Sequence, residues 1–409
     1  MRLSVIICVY NTEKKYFEEC VSSIRKSTLN DYEILVVDDG SEVDYSDIVS
    51  KYELRYVKTD NRGQFAARMY ALTIAKGDYV AFVDSDDTVS FNYHLPMIDK
   101  AQALDCDVVI NDWAFHTERT RYYCVNDPLI ADNIGLKGDD CLKAFASQEG
   151  RAHSYFVLWN KVTKRELLLK AKSELEKTDV IMRRHTFSED ALINFFVFKN
   201  AQKISNVHTG YYFYRIHGEQ SVNASSKSRL KAHIDDMAKT FDIMLDSIGN
   251  NKHGAEIRSS IIKWRSLMSR THYSYAKANN HSDFYPYIMK KYGVDKLQPS
   301  TKADTELYAK HQLLGENFLD IDKALRKIYF EDANVTVIYD KDDKYVERTM
   351  KYIERIKHDV TESNKKTMMV PKRIISFKNR LLHNYFVYSM GLILFKKGSK
   401  ARAFLKRKL

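Results

Sequence analysis

An open, mostly parallel α/β sheet followed by a mainly helical region is the fold class this sequence predicts. Short β-branched apolar runs each end in a polar turn, and stretches of helical rhythm separate them. After about residue 225, long apolar stripes of helical period take over. Strands and helices alternating at this spacing give parallel strands, whose ligands sit outside the carboxyl ends.

Residues 3–9 (LSVIICV) and 33–37 (EILVV) read as parallel strands buried on both faces. Between them, 16–28 carries Phe17, Val21 and Ile24 at helical spacing, which completes a βαβ unit. A third strand is expected at 54–58, a helix entered through Asn61-Arg62-Gly63 at 64–75, a fourth strand at 79–83, a helix at 93–103 and a fifth strand at 107–110. The N-terminal apolar run has no small-residue cleavage site and is expected to be the first strand, not a signal peptide. Leu230, Ile234, Met237, Phe241, Met244 and Ile248 form one apolar stripe, and Ile257, Ile261, Trp264, Met268 and Tyr275 another. Further on, 306–330 reads as helix, 335–339 as strand and 345–356 as helix. The expected organisation is an α/β unit over 1–222, divided into halves of about 1–110 and about 111–222. A helical addition follows over 223–370, then a basic amphipathic segment over 371–409.

At 409 residues, with 44% hydrophobic content, five prolines and fourteen glycines, the chain is long enough for a large core and lacks the composition of a disordered tract. Its five cysteines (Cys8, Cys20, Cys106, Cys124, Cys141) have no CxxC spacing and no histidine at zinc-ligand distance, so free thiols in a reducing cytoplasm are expected. The net charge of +11 would suit a nucleic-acid protein, but residues 363–409 hold thirteen Lys or Arg and no Asp or Glu. The body before them is close to neutral, and the tail has no nucleic-acid-reading motif, so no nucleic-acid partner is expected. Its uncharged stretch, 381–395, is about 22 Å long as a helix, short of the ~30 Å hydrocarbon core. Aromatic and aliphatic residues flanked by Lys and Arg fit a segment lying on an anionic membrane surface, or a helix docked on the preceding domain.

Three strand ends concentrate polar residues: Val9-Tyr10-Asn11, Asp38-Asp39-Gly40-Ser41 and Asp84-Ser85-Asp86-Asp87. Each is by itself an ordinary turn sequence. Together they put carboxylates on one edge of a parallel sheet, which is costly unless something cationic neutralises them. A hard divalent metal carrying a substrate phosphate does so, and points to a metal-assisted nucleotide site. A second cluster, Asp340-Lys341-Asp342-Asp343, reads as a solvated turn.

The four segments SVIICVYN, EILVVDDGS, DNRGQFAARMYAL and GDYVAFVDSDD, in this order and spacing, closely resemble the inverting nucleotide-sugar transferases of glycosyltransferase family 2, which have the GT-A fold. The resemblance covers roughly residues 1–220. It implies that Val9, Tyr10 and Asn11 line the nucleotide, and that Asp38 or Asp39, with Asp39 preferred, accepts the uracil imide N–H. It implies that Arg68 faces the nucleotide or its phosphates, although Met69 stands where the family often has Asn. Asp84-Ser85-Asp86 matches the family's DxD pattern, with Asp86 on the metal and Asp84 on ribose or metal. Mn²⁺ and Mg²⁺ both suit such oxygen ligands.

Farther along, Glu189-Asp190 opens an apolar helix, where carboxylates complement the helix dipole. The pair also matches the family's acidic motif, which implies Asp190 as the base on the acceptor hydroxyl. Trp159-Asn160-Lys161 resembles a W-N-K segment that contacts the acceptor, while plain core burial of Trp159 is the alternative. The run Tyr211–His217, followed by Gly218 and Ser221, resembles a late Y-Y-R-x-H segment whose imidazole, here His217, completes the metal's coordination. The implied activity is transfer of a hexose or N-acetylhexosamine from a UDP-sugar to a hydroxyl on a glycan, glycoprotein or cell-envelope polymer. The competing expectation, from another class, is a non-catalytic adaptor on the same scaffold. Retention of Asp84, Asp86, Glu189 and Asp190 argues against it. The expected location is cytoplasmic, either free or peripheral at the inner face of the cell membrane.

Overall fold

The structure is a computed structural model that describes residues 1–299, apart from 28, 112, 118–120, 123–134, 150–152, 179, 181–184, 186, 208–209, 211 and 217–225. His217, the elements expected between 306 and 356, the Asp340 cluster and the basic segment 371–409 lie outside the described residues.

The first stretch alternates as its sequence demands: β1 (Leu3–Val9), α1 (Lys14–Arg25), β2 (Tyr32–Asp38), α2 (Ser46–Lys51), β3 (Arg55–Lys58), α3 (Gln64–Ile74) and β4 (Tyr79–Phe82). The chain then becomes less regular, with β5 (Thr88–Val89), α4 (His94–Leu104), β6 (Val108–Ile110), β7 (Trp113–Thr117), β8 (Arg121–Tyr122) and β9 (Leu136–Lys137). After these come α5 (Asp139–Ser147), α6 (His153–Phe156), β10 (Lys161–Lys164), α7 (Arg165–Leu175), α8 (Glu189–Asn200), β11 (Lys203–Asn206) and β12 (Tyr212–Ile216). Helices α9 (Lys227–Asp246), α10 (Gly254–Ala278) and α11 (Tyr285–Tyr292) complete the described part.

Among the described residues the main sheet runs β3-β2-β1-β4-β10-β6-β11-β9. β3, β2, β1 and β4 are mutually parallel, β10 runs antiparallel to both its neighbours, and β11 is again parallel to β6. A second small sheet, β5-β12-β7-β8, stands beside it. Gly77 lets the chain enter β4: a Cβ there would meet the Ser4 amide nitrogen at 2.3 Å.

Residue alternation along the strands divides the core in two. Ile6, Leu35, Val37, Val80, Phe82, Val108 and Ile110 face one side, and Val5, Ile7, Ile34, Val36, Ala81 and Val109 the other. The second side is covered by α1 and α4 through Phe17, Val21, Ile24, Met97 and Ile98. On the first, Phe65 and Leu72 of α3 join Phe145, Leu168 and Phe195 in a cluster that continues without interruption into Leu230, Ile234, Phe241, Ile261 and Trp264. Both apolar stripes predicted after residue 225 are therefore core faces, and the helical addition shares its core with the sheet.

Among the described residues, no helix is long and apolar enough to cross a membrane.

Candidate active site

β2, β1 and β4 are adjacent and parallel, with Val9 level with Asp38 and Ile6 level with Phe82, so their carboxyl ends open on one edge. The antiparallel β10 brings the preceding residues 157–160 to that same edge. Helix α3 approaches from the first face of the sheet and buries Arg68, 2% exposed, under this edge.

Arg68 is the centre of the site. One terminal nitrogen donates to Asp84 Oδ1 at 2.8 Å, and the other reaches Glu189 Oε1 at 3.1 Å and Asp190 Oδ1. Its guanidinium also lies 5.9 Å from the Phe82 ring centroid. The second oxygen of Asp190 accepts the Leu158 N–H at 3.1 Å. Thus residues 121 and 122 positions away from Arg68 meet it, and Asp190 is held by a partner on each oxygen.

Electrostatics follow from this burial. Desolvation raises the Glu189 carboxyl to about 7, with neighbouring Asp190 adding to the rise and Arg68 opposing it. Desolvation likewise lifts Asp84 to about 6, against the pull of Arg68 and with Asp190 and Asp86 raising it further. For Arg68 the burial acts downward, but Asp190, Asp84 and Glu189 outweigh it and keep the guanidinium firmly charged. Cys8, beneath the edge, is pushed by burial to about 12 and stays a neutral thiol.

The DxD turn is held from below. Asp87, 1% exposed, accepts the Tyr212 hydroxyl at 2.7 Å and the Arg215 backbone N–H at 2.6 Å. The Tyr212 hydroxyl in turn accepts the Asp84 N–H at 3.0 Å. Arg215 Nε donates to the Asp86 carbonyl at 2.5 Å, while its terminal nitrogen pairs with Glu19 at 2.6 Å and its guanidinium stacks 4.4 Å from the Tyr16 ring. Asp87 is thus a structural anchor. The sequence drew attention to the segment containing Tyr212 and Arg215 through its likeness to a Y-Y-R-x-H run, but gave these two residues no role.

The residues expected on the nucleotide lie at or beneath the carboxyl ends of β1, β2 and β4. Tyr10 is 51% exposed at the edge, whereas the Val9 side chain is buried in the core and only its backbone reaches the edge, its carbonyl accepting the Asp39 N–H at 2.9 Å. Asn11, with φ of 50°, accepts the Glu42 N–H at 2.8 Å. Ser85 and Thr12 share a hydroxyl–hydroxyl bond of 2.6 Å. Asp38 is fully buried and accepts the Ser41 N–H at 2.7 Å and the Tyr56 hydroxyl. Asp39 accepts the Arg62 and Gly63 N–H groups at 2.8 and 2.7 Å, which fixes the turn entering α3, where Gly63 has φ of 93°.

Two expectations are revised. Arg68 was expected on the nucleotide or its phosphates, yet it is buried against three carboxylates of the site. Asn160 and Lys161 were expected on the acceptor, yet they are 0% and 2% exposed. Lys161 Nζ donates to the Ser154 and Val157 carbonyls and to Asn160 Oδ1, because a buried ammonium must find acceptors inside the fold. Both residues shape the 154–158 turn that delivers the Leu158 N–H. Trp159 is buried too, stacked on Tyr212 at 4.3 Å and edge-on to Trp113 at 5.3 Å, which matches the core alternative for it.

Residues 4–138 match the family model described as Glycosyl transferase family 2. The uncharacterized glycosyltransferase EpsJ of Bacillus subtilis is 27% identical over 237 residues, covering 57% of this chain and 66% of the relative. The putative glycosyltransferase EpsH of the same organism is 30% identical over 227 residues, covering 53% and 61%. Glycosyltransferase GlyA of Streptococcus pneumoniae is 25% identical over 253 residues, covering 59% and 34%. The match spans less than two thirds of each of these relatives' own length. Among solved structures, S. aureus TarS 1-349 in complex with UDP-GlcNAc aligns with a TM-score of 0.54 at 20% identity, over 76% of this chain and 82% of that one. That likeness gives the fold, the GT-A type.

Proposed function

The chain belongs to glycosyltransferase family 2 through residues 4–138, and from that premise we propose that it is an inverting, UDP-sugar-dependent hexosyltransferase. The donor would be a UDP-hexose or UDP-N-acetylhexosamine, and the acceptor a hydroxyl on a glycan, glycoprotein or cell-envelope polymer. The observation that carries this reading is the convergence of Asp190 and the DxD residue Asp84 on one buried arginine at the carboxyl edge of the sheet. The TarS structure with UDP-GlcNAc supports the donor class by analogy of fold.

Tyr10, exposed at the edge, offers a ring to the base, and Asp39 the acceptor for the imide N–H. Each Asp39 oxygen already takes one backbone N–H, and a carboxylate oxygen has capacity for a second hydrogen bond. Asp38 is sealed in, which favours Asp39.

Asp86, with Asp84, would hold a divalent cation. Among the described residues no group of three or more His, Cys, Asp or Glu forms a complete metal cage. A pair of carboxylates still fits Mg²⁺ or Mn²⁺, since such ions bind through one or two carboxylates plus substrate phosphate oxygens and waters. His217 is proposed as a further ligand. When bound, the cation neutralises charge developing on the departing diphosphate.

The chain's own residues perform the rest. Asp190 accepts the proton of the acceptor hydroxyl, whose oxygen bonds to the anomeric carbon as the bond from that carbon to UDP breaks. Attack from the face opposite UDP inverts the centre. Arg68 and the Leu158 N–H fix the base carboxylate, and burial of Glu189, which raises its carboxyl to about 7, reduces the charge it sets beside Asp190 near neutral pH. The basic segment 371–409 is proposed to hold this reaction at an anionic membrane surface, for which salt-sensitive vesicle binding is the check.

Thermal stabilisation by UDP-Glc, UDP-Gal, UDP-GlcNAc and UDP-GalNAc with Mn²⁺, followed by transfer assays, tests the reading, because a ligand of the folded state alone raises its stability with affinity. No stabilisation by any of the donors and no turnover would overturn it.

A further inference from the structure

We propose that helix α9 of the helical addition belongs to the catalytic unit: Asp236 and Thr240 are positioning residues that set the place of Asp190. The inference rests on Asp190 as the base. Immediately before α8, Ser188 has φ of 65°, a left-handed conformation that a residue with a Cβ keeps only when its surroundings hold it. Its hydroxyl meets Thr240 Oγ1 at 2.8 Å. The Phe187 N–H donates to Asp236 Oδ2 at 3.1 Å, and the Phe187 ring stacks on His233 of the same helix with centroids 4.1 Å apart. His185, 3% exposed, places Nε2 3.3 Å from Thr240 Oγ1 and Nδ1 3.5 Å from Asp236 Oδ1. On its other side it packs edge-on against Phe65 of α3, the helix that carries Arg68.

Three positions of the segment that leads into Glu189 and Asp190 are thus tied to one face of α9. Among the described residues α9 follows the last strand of both sheets, so the ties come from the helical region and not from the sheet that carries the strand-end acids. A base must be held to a fraction of an ångström, and a displacement of ~1 Å costs about a hundredfold in rate.

The test uses the full chain with Asp236→Asn, Thr240→Val and Thr240→Ser beside Asp190→Asn. Asp236→Asn and Thr240→Val should lower kcat about tenfold or more, with KM for the UDP-sugar and UDP affinity in Mn²⁺ within about twofold of wild type. The Leu158 amide, bonded to Asp190, should exchange faster in both, and Thr240→Ser should recover most of the kcat lost in Thr240→Val. Thr240→Val preserves shape, so it stands in if Asp236→Asn fails to fold. Wild-type kcat and wild-type Leu158 exchange in a folded Thr240→Val variant would overturn the inference. Undiminished transfer by Asp190→Asn would instead end the reading of Asp190 as base, and Leu158 exchange would still judge the positioning on its own.

Discussion

Two groups of buried or half-buried carboxylates on this sheet edge are neutralised in opposite ways. Asp39 and Asp87 accept backbone N–H groups and a tyrosine hydroxyl, which are uncharged and fixed by the fold. Asp84, Glu189 and Asp190 share one guanidinium. The first arrangement holds loops in place. The second leaves three acids dependent on a single cation, so their protonation and position respond together to any change at Arg68. The difference teaches that carboxylate identity alone does not mark chemistry here; what marks it is whether the partner is backbone or a shared charge.

The comparison can be broken most forcefully at Asp190, the proposed base. Asp190→Asn should cut transfer by about 10²–10⁴ while UDP affinity, read by calorimetry, stays near wild type. Next, Arg68→Met would leave three acids facing one another without a cation, at an expected cost of about 3–5 kcal/mol by denaturant unfolding at neutral pH, part of it regained in acid. Arg68→Lys should recover only part, since an ammonium lacks the planar fork that reaches both sides. A smaller loss, about 2 kcal/mol, is expected for Asp87→Asn, because an amide offers one oxygen to the two donors from Tyr212 and Arg215.

The finest distinction is a slope. Glu189 rises from 4.5 to about 7 on folding, so between these values the native state holds a proton that the unfolded chain has lost. Unfolding free energy should therefore fall as pH rises through that window, by at most about 1.4 kcal/mol per pH unit from this group. Glu189→Gln should flatten that stretch of the stability–pH curve; an unchanged slope would show that Glu189 is not the titrating group.

Much of the nucleotide side was legible because local rules generate it. Strands buried on both faces must be continuous apolar runs, and the polar clusters at their ends fell on one edge as soon as the strands were parallel. The helix expected at 16–28 stops at Arg25, where the Lys26 N–H closes on the Ser22 carbonyl. Less could be read after β4. β10 is four residues long, and nothing in Lys161–Lys164 tells that it runs against its neighbours. At its start Asn160 and Lys161 turn inward to the Ser154 and Val157 carbonyls. Arg68 was expected on the nucleotide from the family resemblance, and a buried arginine on an apolar helix has no local signature to say otherwise; its partners lie 16, 121 and 122 residues away. The α9 ties of the base segment were invisible for the same reason, since Asp236 and Thr240 occupy ordinary helical positions.

By itself the sequence determined the parallel strands β1 to β4, the edge on which the site lies and the strand-end acids, because periodicity and turn chemistry act over a few residues; Glu189 and Asp190 were marked by the family resemblance. Only the tertiary structure decided which acid anchors a loop, which shares Arg68, and that the helical addition grips the segment carrying Asp190. Those outcomes depend on desolvation and on charge pairing between distant segments, and these exist only once the chain has packed.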